Sequence, residues 1–172
     1  IIDVCGLTTG GWTSDLFDEL EQSGFIAQYV PFGRSLREAI YKLSDEYSLF
    51  YLKFVEGGRA SGAGTWLRLS KTPSYTSWSG LAFEAVCQKH LDAIKWALGI
   101  AGVYTEASAW RHMPQKGEKG AQIDLLLDRA DHCINLCEIK FSTEEFVIEK
   151  QYAAEIDNKV KVSSKKVIII KH

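Results

Sequence analysis

No run of about 18 or more apolar residues occurs in this chain, so no membrane-spanning helix is expected. The start, IIDVCGL, lacks a basic segment leading into an apolar core and a small-residue cleavage site, so it does not read as a secretory signal. Position 1 is Ile rather than an initiator Met, and the chain reads as a piece of a longer protein. The phosphate-loop pattern G-x-x-x-x-G-K-[ST] is absent, which excludes ATP hydrolysis by that route within these residues. No C-x-x-C pair is present and the four histidines are scattered, so a zinc site is not expected. Cys133 and Cys137, in one expected strand, stand roughly 13 Å apart; with Cys5 and Cys87 they read as buried free thiols of a cytoplasmic protein. Strong charge is missing too. A net charge of −2 does not suit a protein that coats DNA non-specifically. It still permits a nuclease, because a bound metal brings positive charge to the site itself.

What is present divides into two modules and a connector. Residues 1–55 read as helix-rich with one hairpin. Trp12–Ser23 carries Leu16, Phe17 and Leu20 at helical spacing, with Thr8 and Thr9 as N-cap candidates and Gly24 as the residue just past the end. Two short β-like runs follow, Phe25–Phe32 and Ala39–Leu43, around a loop with Gly33, Arg34 and Arg37. Ser44 and Asp45 then offer a cap for a helix over Glu46–Val55. Residues 56–77, opening EGGRASGAG, read as a linker. Residues 78–172 predict the order α-β-β-β-α-β: a helix over Leu81–Leu98, strands over Val103–Trp110, Ala121–Asp128 and Cys133–Phe141, a helix over Phe146–Val162, and a buried strand over Lys166–Lys171.

Side chains alternate along a strand. Gln122, Asp124 and Leu126 therefore share one face of their strand, and Ile134, Leu136, Glu138 and Lys140 share one face of the next. Charged groups at the end of so apolar a strand are costly unless paired or used. If the two strands pair, Asp124 meets Glu138, and two adjacent carboxylates suit Mg²⁺, which takes hard oxygen ligands and keeps several waters. Such a metal generates hydroxide and polarises a scissile phosphate, while Lys140 stabilises the developing charge. A strand-end salt bridge among Glu138, Lys140 and Asp124 is the plainer reading of the same residues.

The strings GLAFE (80–84), GAQIDLLLDR (120–129) and CEIKFS (137–142) resemble the core of the PD-(D/E)xK nuclease superfamily. Together with SGFIAQYVPFG (23–33) and YKLSDEYSLFYLKFV (41–55), they resemble the C-terminal region of prokaryotic AAA-type ATPases of the archaeal or DEXX-box kind. The resemblance spans nearly the whole chain. It implies an α/β, restriction-endonuclease-like core at 78–172 preceded by a partial winged helix at 1–55. It implies Asp124 and Glu138 as metal ligands for Mg²⁺ or Mn²⁺, with the Ile139 backbone carbonyl as a further ligand. Lys140 takes the place of the catalytic lysine, and Glu84 that of the helical acid that assists the site. Gln151 and Tyr152 resemble the polar pair on the following helix. Ile123 stands where the motif often has proline. The implied partners are nucleic acid, DNA first and RNA as the alternative, and an ATPase domain of the same full-length protein.

The loop WRHMPQKGEK gives the best basic patch, with Arg111, Lys116 and Lys119 as candidate phosphate contacts beside His112. The five tryptophans carry no interleaved basic residues and read as packing rather than base-stacking groups. The helix before the hairpin carries Asp15, Asp18, Glu19 and Glu21 and no Lys or Arg, a poor face for DNA. Two further functions follow from these features: a catalytically silent nuclease fold acting as an interaction module, and a winged-helix DNA-binding regulator.

Overall fold

The computed structural model describes residues 2–58, 62–112 and 120–163. It mixes helices with a two-stranded and a three-stranded antiparallel sheet. Among the described residues no helix is long and apolar enough to cross a membrane.

Helix α1 spans Gly11–Gln22. Its N-cap is Gly10 rather than a threonine side chain; Thr8 contributes its carbonyl, which accepts from the Thr13 hydroxyl. Gly24, at φ 76°, closes the other end as expected, because this left-handed conformation lets the Phe25 N–H reach back to the Leu20 carbonyl at 3.0 Å. Strands β1 (Ile26–Tyr29) and β2 (Ile40–Leu43) pair from Ile26↔Leu43 to Tyr29↔Ile40. Phe17 of α1 stacks on Tyr41 at 4.8 Å and ties the helix to this hairpin.

Helix α2 covers Glu46–Phe50 and runs on as one wide π turn over Tyr51–Val55, where a single helix was expected. Asp45 caps it, accepting the Ser48 N–H at 2.6 Å; the Ser48 side chain first, and then this backbone bond, hold the Asp45 carboxyl below its usual range. The continuation places Phe50 and Phe54 against Trp66, Tyr75 and Trp78, with neighbouring ring centroids 5.4 to 5.9 Å apart, mostly edge-to-face. Trp66 lies on α3 (Thr65–Leu69), and Trp78 lies on α4 (Pro73–Lys89). The stretch 56–77, expected as a linker, thus contains α3 and the first turn of α4, drawn into order by this aromatic cluster. Trp12 and Trp96 depart from the packing role and are largely exposed.

The helix expected over Leu81–Leu98 begins earlier, at Pro73, and is broken at His90 (φ −111°, ψ 39°) into α4 and α5 (Leu91–Ala97). The break has a use. It turns Leu91 and Ile94 onto the cluster of Ile100, Leu125 and Leu127, while Val86 and Leu98 stay exposed.

Strands β3 (Thr105–His112), β4 (Ala121–Arg129) and β5 (Ile134–Cys137) form the second sheet, with β4 in the middle. Ile123, Leu125, Leu126 and Leu127 are each 3% exposed or less, because this strand is covered on both faces. Strand β5 is four residues long and stops at Cys137; the expected strand through Phe141 is corrected. On the edge, β3 has a bulge between Ser108 and Trp110, and the Ala109 carbonyl there accepts the Phe32 N–H at 2.9 Å. Ion pairs Lys42–Glu84 (3.0 Å) and Lys89–Glu46 (2.8 Å) join the N-terminal elements to α4. The Glu46 carboxyl is held low by Lys89.

Helix α6 (Lys150–Ser163) follows and packs on β4. It starts four residues later than expected at Phe146. The strand expected over Lys166–Lys171 lies outside the described residues. All four cysteines are free, but Cys5 is exposed and the other three are only partly buried.

Candidate functional site

The β4–β5 register runs Leu127↔Asn135, Leu126↔Leu136, Leu125↔Cys137. One further step sets Asp124 against Glu138. The ladder does not take that step with backbone groups. Instead the Ile139 N–H donates to Asp124 Oδ2 at 3.1 Å, so a buried carboxylate replaces the next carbonyl and ends the strand. A carboxylate that receives a backbone N–H is fixed in direction as well as satisfied. The Ile139 side chain packs on the opposite face, against Leu125 and Leu127.

Glu138 and Lys140 therefore lie just past the strand end, beside Asp124. Lys140 Nζ stands 3.9 Å from Asp124 Oδ2 and 3.9 Å from Glu138 Oε2, too long for a hydrogen bond to either. Its side chain is 44% exposed, and its ammonium lies 5.9 Å from the ring centre of Tyr152 on α6. Phe146 meets the same ring edge-on. Lys140 is thus close to both acids without being locked to one.

Tyr152, expected at a nucleic-acid surface, belongs to this cluster. Its hydroxyl is buried and completes no hydrogen bond. Burial first, then the charges of Glu138 and Asp124, push its pKa up to about 12 from 10.0. A raised folded-state pKa means the neutral phenol is the favoured form. Its contribution to stability is complete below pH 10 and is lost as pH rises through 12. Thermal melting between pH 9 and 12 should therefore show a steeper alkaline loss for the parent than for Tyr152→Phe, with the two close together below pH 10. Equal slopes would show that the hydroxyl feels no such field. Burial likewise raises the Cys137 thiol, with Glu138 adding to it.

The tightest contact at the site was not anticipated. Lys159, two turns along α6 from Tyr152, places Nζ 2.6 Å from Glu138 Oε2, with both side chains mostly buried. The other oxygen, Glu138 Oε1, is buried without a hydrogen-bond partner. The only signal in the sequence was the helical spacing of Tyr152, Glu155 and Lys159, which puts them on one stripe.

Glu84 is directed elsewhere. Its Oε1 accepts from Lys42 Nζ at 3.0 Å and from Gln88 at 3.5 Å. Among the described residues no three His, Cys, Asp or Glu side chains form a group able to hold a metal, so Glu84 does not complete a triad with Asp124 and Glu138. The two acids still fit Mg²⁺ or Mn²⁺, which needs one or two carboxylates beside waters. The orphaned, buried Glu138 Oε1 is the atom such an ion would satisfy.

Beside the carboxylates, a groove of about 810 Å³ lies between the start of β4 and α6, lined among others by Gln122, Gln151, Asn158, Lys159 and Lys161. Gln151 thus lies on the groove wall. Arg111 is exposed on β3 opposite Gln122, and cross-strand partners share a face, so it points to the groove side of the sheet. Lys116 and Lys119 lie outside the described residues. In the hairpin loop, Arg34 pairs with Glu38 at 2.9 Å. Comparison of the chain with protein-family models, curated proteins and solved structures finds no match.

Proposed function

We propose that this chain is the Mg²⁺- or Mn²⁺-dependent, phosphodiester-hydrolysing part of a larger cytoplasmic ATPase, acting on DNA with RNA as the alternative. In this reading residues 78–172 are a restriction-endonuclease-like domain and residues 1–55 a partial winged helix. The observation that carries it is the junction of β4 and β5, where Asp124 and Glu138 sit side by side with one unlocked ammonium 3.9 Å from each. Asp124, Glu138 and the Ile139 carbonyl would hold the cation. When bound, it supplies an activated water and a Lewis acid at the scissile phosphate. Lys140 orients the nucleophile and neutralises charge that develops on the phosphate oxygens. Tyr152 supports Lys140 from below and stays protonated at neutral pH. Gln122, Gln151 and Arg111 line the approach and suit backbone contacts, which position a strand without reading its sequence.

The test is cleavage of plasmid and single-stranded DNA in Mn²⁺ by the parent and by Asp124→Asn. Asparagine keeps an acceptor for the Ile139 N–H and removes the charge, so the fold should persist while cutting is lost. A parent that neither cuts nor binds Mn²⁺ by calorimetry would sink the proposal.

A second reading, a silent nuclease fold used as a contact module of the ATPase, is favoured by two observations. Lys159 already neutralises Glu138. An apolar hollow of about 460 Å³, lined by Leu20, Phe25, Tyr47, Tyr51 and Leu52 among others, is open on the hairpin side, the kind of patch that marks a protein contact. A winged-helix regulator draws less support, since Arg34 is engaged by Glu38.

A further inference from the structure

Two lysines serve one pair of carboxylates, and they differ. Lys140 is half-exposed and 3.9 Å from both acids. Lys159 is 21% exposed and donates to Glu138 Oε2 at 2.6 Å, where a divalent cation held by Asp124 and Glu138 would also sit. An ammonium and a metal ion compete for the same carboxylate lone pairs and repel each other at that range. We propose that Lys159 is a built-in counter-ion that competes with the divalent cation for Glu138 and gives way to it by moving into the groove. This rests on the reading that the acid pair binds a divalent cation.

The geometry provides both seats. With no metal bound, Lys159 compensates a carboxylate that is otherwise mostly buried next to a second one, a charge arrangement that is unfavourable without a cation. The second seat is Glu155. It lies one turn before Lys159 on α6, lines the same groove, and has the order, Glu then Lys four positions on, that favours pairing along a helix. Asn158 and Gln151 of that wall offer further acceptors to an ammonium that has left Glu138. Lys159 is therefore a positioning residue, setting when Glu138 is open to a metal, and it already borders the groove into which its ammonium would swing.

Calorimetric titration of Mn²⁺ into the parent, Lys159→Met, Lys159→Arg and Glu155→Gln decides the matter without reference to cleavage. The competitor role predicts that Lys159→Met binds Mn²⁺ about tenfold more tightly, that Lys159→Arg stays near the parent, and that Glu155→Gln binds severalfold more weakly because the ammonium loses its second seat. A lysine that merely supports Glu138 has the opposite sign, since loss of an outer-shell partner usually costs about 10–100-fold in metal affinity. Melting with and without Mn²⁺ gives a second readout: the metal should raise the melting temperature of Lys159→Met more than that of the parent. If the parent binds Mn²⁺ and Lys159→Met binds it no tighter, the inference is overturned and the nuclease proposal stands. If neither binds, both are overturned.

Discussion

Leu127→Ala is expected to lower the free energy of unfolding by about 2–5 kcal/mol, the range for deleting a large buried aliphatic side chain. Leu127 is 0% exposed on the central strand β4 and packs with Ile100 and Leu125, which are in turn covered by Leu91 and Ile94 of α5 and by Val103, Cys137 and Ile139. The cost exceeds the transfer free energy of the lost methyl groups. Both neighbouring strands hold β4 in place by backbone hydrogen bonds, so the sheet cannot collapse into the space left behind. Urea denaturation of the parent beside Leu127→Ala measures it. Leu67→Ala, at a residue 68% exposed on the short helix α3, serves as the comparison and should change little. Equal losses at the two sites would mean that β4 does not form the centre of the core.

Lys140→Ala is expected to lower the rate of Mn²⁺-dependent cleavage by about 10²–10³, the cost of removing one preorganised donor from a developing negative charge. Folding should change little, because the ammonium is half-exposed and makes no hydrogen bond to either acid. This separation is what makes the variant informative. Asp124 anchors the Ile139 N–H and Glu138 carries Lys159, so truncating either acid to alanine alters structure as well as chemistry. Lys140 tests chemistry almost alone. Steady-state cleavage with a melting curve on the same preparation is the measurement. Unchanged cleavage would move the catalytic role away from Lys140, with Lys159 the next ammonium at the site. A fall in melting temperature that matches the loss of activity would make Lys140 structural.

The chain determined a good deal by local rules. The continuous apolar run from Ile123 to Leu127 needs cover on both faces, and β4 is the buried central strand. Gly24 and Asp45 act at the helix ends as their chemistry requires. The alternation of a strand put Asp124 on the face it shares with Leu126, and put Glu138 and Lys140 on one face of their own segment. Strand pairing then brings these faces together, and the acid pair was legible for that reason.

Other features depend on contacts that no local pattern encodes. Strand β5 stops at Cys137 because a side chain, Asp124, takes the N–H that a ladder carbonyl would have taken. Helix α4 yields to α5 at His90 because Leu91 and Ile94 must reach the sheet. Glu84 turns to Lys42, 42 positions earlier, since β2 passes beside α4 and offers a cation there. Lys159 meets Glu138 across 21 positions, because α6 lies back on β4. Sequence spacing sets which side chains share a face of one element. Which element faces which, and so which of two lysines holds the carboxylate, is decided by how the helices cover the buried faces of β4.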